Sequence, residues 1–247
     1  MKMAESLFYN LGRIVGTKAH KARWIWESLT GVQTNAIRLE EHVGADLARE
    51  ARSQLRIDPD PQTARLLNDI GLRLAACVAD KRRSFRFEVF NATEPNAFAL
   101  PGGYIFVSRS ILALCHEDPA QVAFILGHEM GHVIGGHALE RVLTNSAIAA
   151  VSRAVPGRGV LGPWLHKVGV RFLETAYSRD CELDADRLAI RLMAAAGYDG
   201  QAGVTLLQSL ANLRDSANDP LSLGEYFSTH PRFDVRIESL RKLLVTP

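Results

Sequence analysis

A chain of 247 residues, 47% hydrophobic and 23% charged, reads as a globular protein of the soluble kind, long enough for one good core. A formal charge of only +2 gives no argument for a nucleic-acid partner. Cys77, Cys115 and Cys181 are too few and too scattered for a disulfide framework, which points to a reducing compartment.

The first residues, MKMAESLFYNLGRIVGTKAHK, lack the apolar core of a signal peptide. No uncharged apolar run reaches the ~18–20 residues of a membrane span. A cytoplasmic location is therefore expected. Residues 1–34 read as a basic N-terminal extension and 35–247 as the main domain. In the extension Lys2, Arg13, Lys18, Lys21 and Arg23 stand against Glu5 and Glu27, with Phe8, Trp24 and Trp26 interleaved. Two readings fit: a helix docked on the body with solvated charges, or peripheral contact with an anionic membrane surface.

Residues 34–55 and 62–80 are predicted helices, separated by Asp58-Pro59-Asp60-Pro61. Phe85, Phe87 and Val89 alternate with Arg86, Glu88 and Phe90, which predicts a strand. Ala97–Leu100 and Tyr104–Val107 flank Pro101-Gly102-Gly103 and read as a hairpin. Residues 119–143 read as one helix, with Asp118 as N-cap and Pro119 in the first turn. A partly apolar loop is expected over 144–173, then helices over 177–196, 200–214 and 231–244. The sum is an α+β fold, a mainly helical body with a small sheet near the 119–143 helix.

That helix carries His128-Glu129-Met130-Gly131-His132. Positions i and i+4 share a helix face, so His128 and His132 can point two imidazoles at one metal ion. Glu129 lies about 100° further round, suited to reach a water on that metal. Two histidine ligands, an open position and an adjacent base are what zinc hydrolysis requires. The rival reading is a buried helix with two satisfied core histidines.

A catalytic zinc usually takes a third protein ligand. His137 is nine residues past His128, about half a turn off its face on a continuous helix, and reads as structural. Glu140 is too far along the axis, and no acid lies between Glu140 and Glu174. Glu182 is the first candidate, with Glu174 and Asp186 next. Glu182 and Asp186 are i and i+4, so one can bind metal while the other hydrogen-bonds a ligating imidazole. Asp180 and Asp184 share that spacing on another face, which reads as solvated and ion-paired.

Four blocks together carry a family resemblance: Asn96-Ala97-Phe98-Ala99-Leu100-Pro101-Gly102-Gly103, then His128–His132, then Glu182-Leu183-Asp184-Ala185-Asp186, then Thr229-His230-Pro231 with Arg236. Over roughly residues 35–245 the chain resembles the gluzincin family of CAAX prenyl endopeptidases, the heat-shock protease HtpX and mitochondrial Oma-type peptidases, above all its compact Oma-like members. The resemblance implies a zincin-type metallopeptidase domain holding one Zn2+ per chain, with Glu182 as third ligand and Asp186 on a ligating imidazole. It implies that the strand at Tyr104–Val107 borders the cleft, where an extended substrate adds as a further strand. It implies His230 as a hydrogen-bond donor to the oxyanion, with Arg236 a weaker candidate for shaping the site.

The expected function is a zinc-dependent endopeptidase acting on unfolded or extended protein segments, with Glu129 as general base and a place in protein quality control. The rival readings are a zinc-stabilised, non-catalytic peptide-binding or chaperone-like module, and a small-molecule metallohydrolase. Many relatives carry transmembrane helices and this sequence shows none. The 144–173 segment is a candidate plug for the cleft. The sequence leaves the oligomeric state open.

Overall fold

Side-chain caps, from Asp60 and Asp118 and from Ser108 and Ser178, mark helix starts in this computed structural model, which describes residues 33–144, 176–216, 226, 229–230 and 232–245. The N-terminal extension up to residue 32, the 144–173 loop from residue 145 onward and the ligand candidate Glu174 lie outside the described residues. Helix α1 spans Gln33–Gln54, strand β1 Arg56–Ile57 and helix α2 Pro61–Ala76. Asp60 caps α2 by accepting from the backbone of Gln62 at 3.0 Å, with Pro61 in the first turn as its fixed φ favours. Helix α2 stops short of residue 80, where the Lys81 ammonium donates to the Ala76 carbonyl at 2.7 Å.

Strands β2 (Arg86–Asn91), β3 (Ala97–Leu100) and β4 (Tyr104–Ser108) follow. Among the described residues the sheet order is β1-β2-β4-β3, with β2 and β4 parallel and the other two pairs antiparallel. The predicted hairpin is present as β3, a short turn at Pro101–Gly103, and β4. The sheet's two faces divide by the period of two. Phe87, Val89, Ala97, Ala99, Ile105 and Val107 join the main core with α2, while Phe90, Phe98, Leu100 and Phe106 pack on Leu47, Ala48 and Ala51 of α1. One expectation is overturned: the Tyr104–Val107 strand is interior, paired on both sides, and among the described residues the edge strands are β1 and β3.

Helix α3 (Arg109–Leu114) leads into α4, Pro119–Ile134. Asp118 caps α4 by accepting from the backbone of Ala120 and Gln121, both at 2.9 Å. The predicted single helix over 119–143 is two. Gly135 closes α4, Gly136 turns left-handed at φ 74°, and α5 restarts at His137–Thr144. A left-handed turn costs glycine least, so the glycine pair overrides the helical pattern around it.

Helices α6 (Arg179–Ala196), α7 (Gln201–Ser216) and α8 (Phe233–Val245) complete the described chain. Residues 40–247 form one compact unit and residues 1–39 another. No described helix is long and apolar enough to cross a membrane.

The pairing of α4 with α6 builds the site. Glu182, Ala185, Asp186 and Ala189 form one buried face of α6. Opposite them lie Gly127 and Gly131, also i and i+4. A Cβ on Gly131 would stand 2.8 Å from the Ala185 Cα and 2.9 Å from its carbonyl oxygen. That obstacle is backbone, which moves only with the whole helix. Gly131→Ala is therefore expected to destabilise the metal-free protein by about 1–3 kcal/mol through overpacking. It should also loosen metal retention, because it parts the two helices that carry the donors. An unchanged melting curve would show that the helices separate freely.

Candidate active site

His128 and His132 project their Nε2 atoms to one point, 3.1 Å apart and fully buried. Glu182 reaches the same point from α6, its Oε1 lying 3.3 Å from His132 Nε2. His230 Nδ1 lies 3.3 Å from His128 Nε2 and 3.2 Å from Glu182 Oε1. These four residues offer ligand atoms that all lie within 4.8 Å of one another.

The rear of each imidazole explains which nitrogen faces inward. His128 Nδ1 lies 2.8 Å from Asp186 Oδ1, so that nitrogen carries the proton and Nε2 presents a lone pair. His132 Nδ1 lies 3.2 Å from His137 Nδ1. The break at Gly135-Gly136 is what swings His137 back, so the half-turn offset of a continuous helix does not apply. His137 is a ring partner of His132 and is outside the four-donor cluster.

Arg236 ties the arrangement together. Its Nε and Nη2 donate to Asp186 Oδ2 and Oδ1 at 2.8 and 2.7 Å, a two-pronged pair. Its Nη1 stands 2.9 Å from Glu182 Oε2, close enough for an ion pair but without hydrogen-bond alignment. Burial opposes the charge on Asp186, yet Arg236 and His128 hold its carboxyl below the usual range. Burial likewise opposes the charge on Glu182, and His230, Arg236 and His132 hold it well below the ordinary value. Burial drives the His132 pKa well below normal against the pull of Glu182, which leaves a neutral imidazole suited to ligation.

The donor set fits a metal ion. Lone pairs of two imidazoles and a carboxylate face one another in a space without solvent exposure, and Glu182 Oε2 has no hydrogen-bond partner. Such mutual acceptors are costly to bury unless a cation joins them. Four of the six separations among the donors are 3.1, 3.3, 3.3 and 3.2 Å and all lie within 4.8 Å, close enough for one ion to reach the set.

Glu129 sits beside this cluster. It is fully buried and neither carboxylate oxygen has a hydrogen-bond partner, the nearer cation candidate being His230 Nε2 at 3.5 Å. Among the other sequence candidates, Asp184 is exposed and pairs with Arg187 at 2.6 Å, and Asp180 is exposed as the solvated-face reading requires. Two aromatic residues had no signal in the pattern. The Tyr226 ring packs 4.7 Å from that of His230, and the Tyr177 ring stacks 3.7 Å from that of His132. Neither lies at a periodic position relative to the motifs.

The signature of peptidase family M48 matches residues 61–244. The mitochondrial metalloendopeptidase OMA1 of Arabidopsis thaliana is 35% identical over 147 residues, 59% of this chain and 29% of that protein. The beta-barrel assembly-enhancing protease of Escherichia coli O157:H7 is 28% identical over 220 residues, covering 84% of this chain and 44% of that protein. The OMA1 of Saccharomyces cerevisiae is 32% identical over 154 residues, 61% of this chain and 44% of that protein. The chain thus spans less than half the length of these relatives.

Proposed function

Because the chain belongs to peptidase family M48, we propose that it is a zinc-dependent endopeptidase that cleaves extended or unfolded protein segments, with a role in protein quality control. The observation that carries this reading is the convergence of four buried donors beside an unpartnered buried carboxylate. A structural zinc has no use for Glu129. A donor set of two imidazoles and one carboxylate is one that zinc commonly takes.

A zinc ion bound there supplies a Lewis acid and a water whose pKa falls toward about 7. Glu129 takes the proton from the attacking water and passes it to the leaving amine. A ring N–H of His230 donates to the substrate oxygen as negative charge develops. His230 Nδ1 lies among the converging donors, so an ion held by His128, His132 and Glu182 would have a position open to water only with the His230 ring turned aside. Asp186 holds the His128 tautomer, and Arg236 holds Asp186 and Glu182.

An extended peptide would add along β3 only by displacing Arg141, which donates to the Ala99 carbonyl, since Ala97 and Ala99 are fully buried. Asn96 O accepts from Ser108 N at 2.8 Å, so Asn96, Phe98 and Leu100 face β4. By alternation Ala97 and Ala99 turn their N–H and C=O groups outward. The three cysteines are free thiols. The segments with a proposed membrane contact, the basic N-terminus and 144–173, lie outside the described residues but for residue 144.

His230 among the donors favours one rival, a closed and non-catalytic zinc site. One experiment separates the two: metal content and casein cleavage on the same samples of wild type and Glu182→Ala. One zinc per wild-type chain, sharply less in Glu182→Ala, and cleavage abolished by chelator and restored by zinc are expected. One zinc without cleavage would favour the closed site, and no zinc after reconstitution would end both readings.

A further inference from the structure

The two histidines of the motif are held by different means. His128 is fixed by the Asp186 carboxylate at 2.8 Å, itself gripped by Arg236. Among the described residues, no carboxylate lies on His132 Nδ1, whose partner is the His137 ring nitrogen at 3.2 Å. One hydrogen bond fixes a point on a ring and not its plane, and the terminal torsion of histidine is broad. The plane of His132 is set by Tyr177, whose ring lies 3.7 Å away and tilted by only 13°.

Tyr177 is itself clamped. The Arg141 guanidinium carbon lies 4.3 Å from its ring centroid. Two groups this close cannot share one face, so the order is His132, Tyr177, Arg141. The Tyr177 backbone N–H donates to the Thr229 carbonyl at 3.1 Å, next to His230. Arg141 is 5% exposed, and its Nη2 donates at 3.2 Å to the carbonyl of Ala99, on the side of β3 turned away from β4. Tyr177 is 7% exposed and its hydroxyl has no hydrogen-bond partner. The contacts that engage this side chain are those of its ring.

We propose that Tyr177 is a positioning residue of the metal centre. It sets the plane of His132 by stacking, and Arg141 backs that stack and ties it to β3. The inference rests on the metal-centre reading above but not on peptide cleavage. A ring stack behind a ligand replaces the usual carboxylate or carbonyl partner.

The test is the rate of zinc release from the holoprotein to a coloured chelator, measured without any substrate. Tyr177→Leu is expected to release zinc about tenfold faster, the lower end of what loss of a ligand-orienting partner costs. Arg141→Met, which keeps the apolar stem and removes the planar cation, is expected to speed release by a smaller factor. It also serves if Tyr177→Leu does not fold. Tyr177→Phe keeps the stack and should release at the wild-type rate. Phe90→Leu, in the core on the far side of the sheet, controls for general loosening and should also match wild type.

Wild-type release from folded Tyr177→Leu or Arg141→Met would overturn the proposal. So would equal acceleration in Phe90→Leu, or in Tyr177→Phe, which would move the effect to the hydroxyl. A wild-type chain that takes up no zinc sinks this inference together with the metal centre. Zinc uptake without casein cleavage sinks only the peptidase reading.

Discussion

Glu129→Gln is expected to keep one zinc per chain and to lose peptide hydrolysis by about 10²–10⁴-fold, the usual worth of a general base. The amide has nearly the same shape as the carboxylate, so the packing of α4 should survive. Glu129 is not among the four converging donors, so metal content should not change. What the variant loses is a basic oxygen. In the wild type both oxygens are buried without a hydrogen-bond partner. Burial of an unpaired carboxylate is costly, and a purely structural position would favour a neutral side chain. The variant should therefore be at least as stable as wild type while inactive, a combination typical of a residue kept for chemistry. Metal analysis, melting and casein cleavage on one preparation check it. Turnover within a few-fold of wild type would remove Glu129 from the mechanism and with it the main argument against a closed zinc site.

Arg236→Met is expected to lower the stability of the metal-free protein by about 3–5 kcal/mol, the cost of breaking a buried ion pair from one side. Arg236 is 1% exposed, as are Asp186 and Glu182. It is the cation that both carboxylates face, at 2.7 Å from Asp186 and 2.9 Å from Glu182. Methionine roughly keeps the volume but leaves two buried carboxylates uncompensated. Zinc should restore part of the loss by binding the native state and neutralising Glu182, while Asp186 stays without its partner. Arg236→Lys returns the charge without the two-pronged geometry and should fall between the two. Denaturant midpoints with and without zinc measure all three. A loss below about 1 kcal/mol in Arg236→Met would mean that the pair is effectively solvated.

The elements of the fold were legible where local rules act alone. Asp118 and Pro119 start α4, Asp60 and Pro61 start α2, and the alternation from Phe85 to Phe90 marks β2. The motif was legible because its geometry is local: His128 and His132 need only one turn of helix to share a face. The sequence misled at Gly135-Gly136, where apolar spacing continued through a turn that two glycines permit. It also misled on the strand edge, since a hairpin pattern predicts the β3–β4 pairing but not that β2 takes the other side of β4.

By itself the sequence determined a helix with His128 and His132 on one face, Glu129 beside them, and a short set of acids as candidates for a third ligand. Spacing could not choose between the acids of α6, since Glu182 and Asp186 share a face as Asp180 and Asp184 do. The choice belongs to the tertiary structure. Gly127 and Gly131 let α6 approach closely enough to turn Glu182 and Asp186 inward, while Asp180 and Asp184 face solvent. His230 and Arg236 were expected only through the family resemblance, and tertiary packing alone brought in His137 and the Arg141–Tyr177 stack. Each meets the site across a loop or a helix break, and such contacts have no period in the sequence that would announce them.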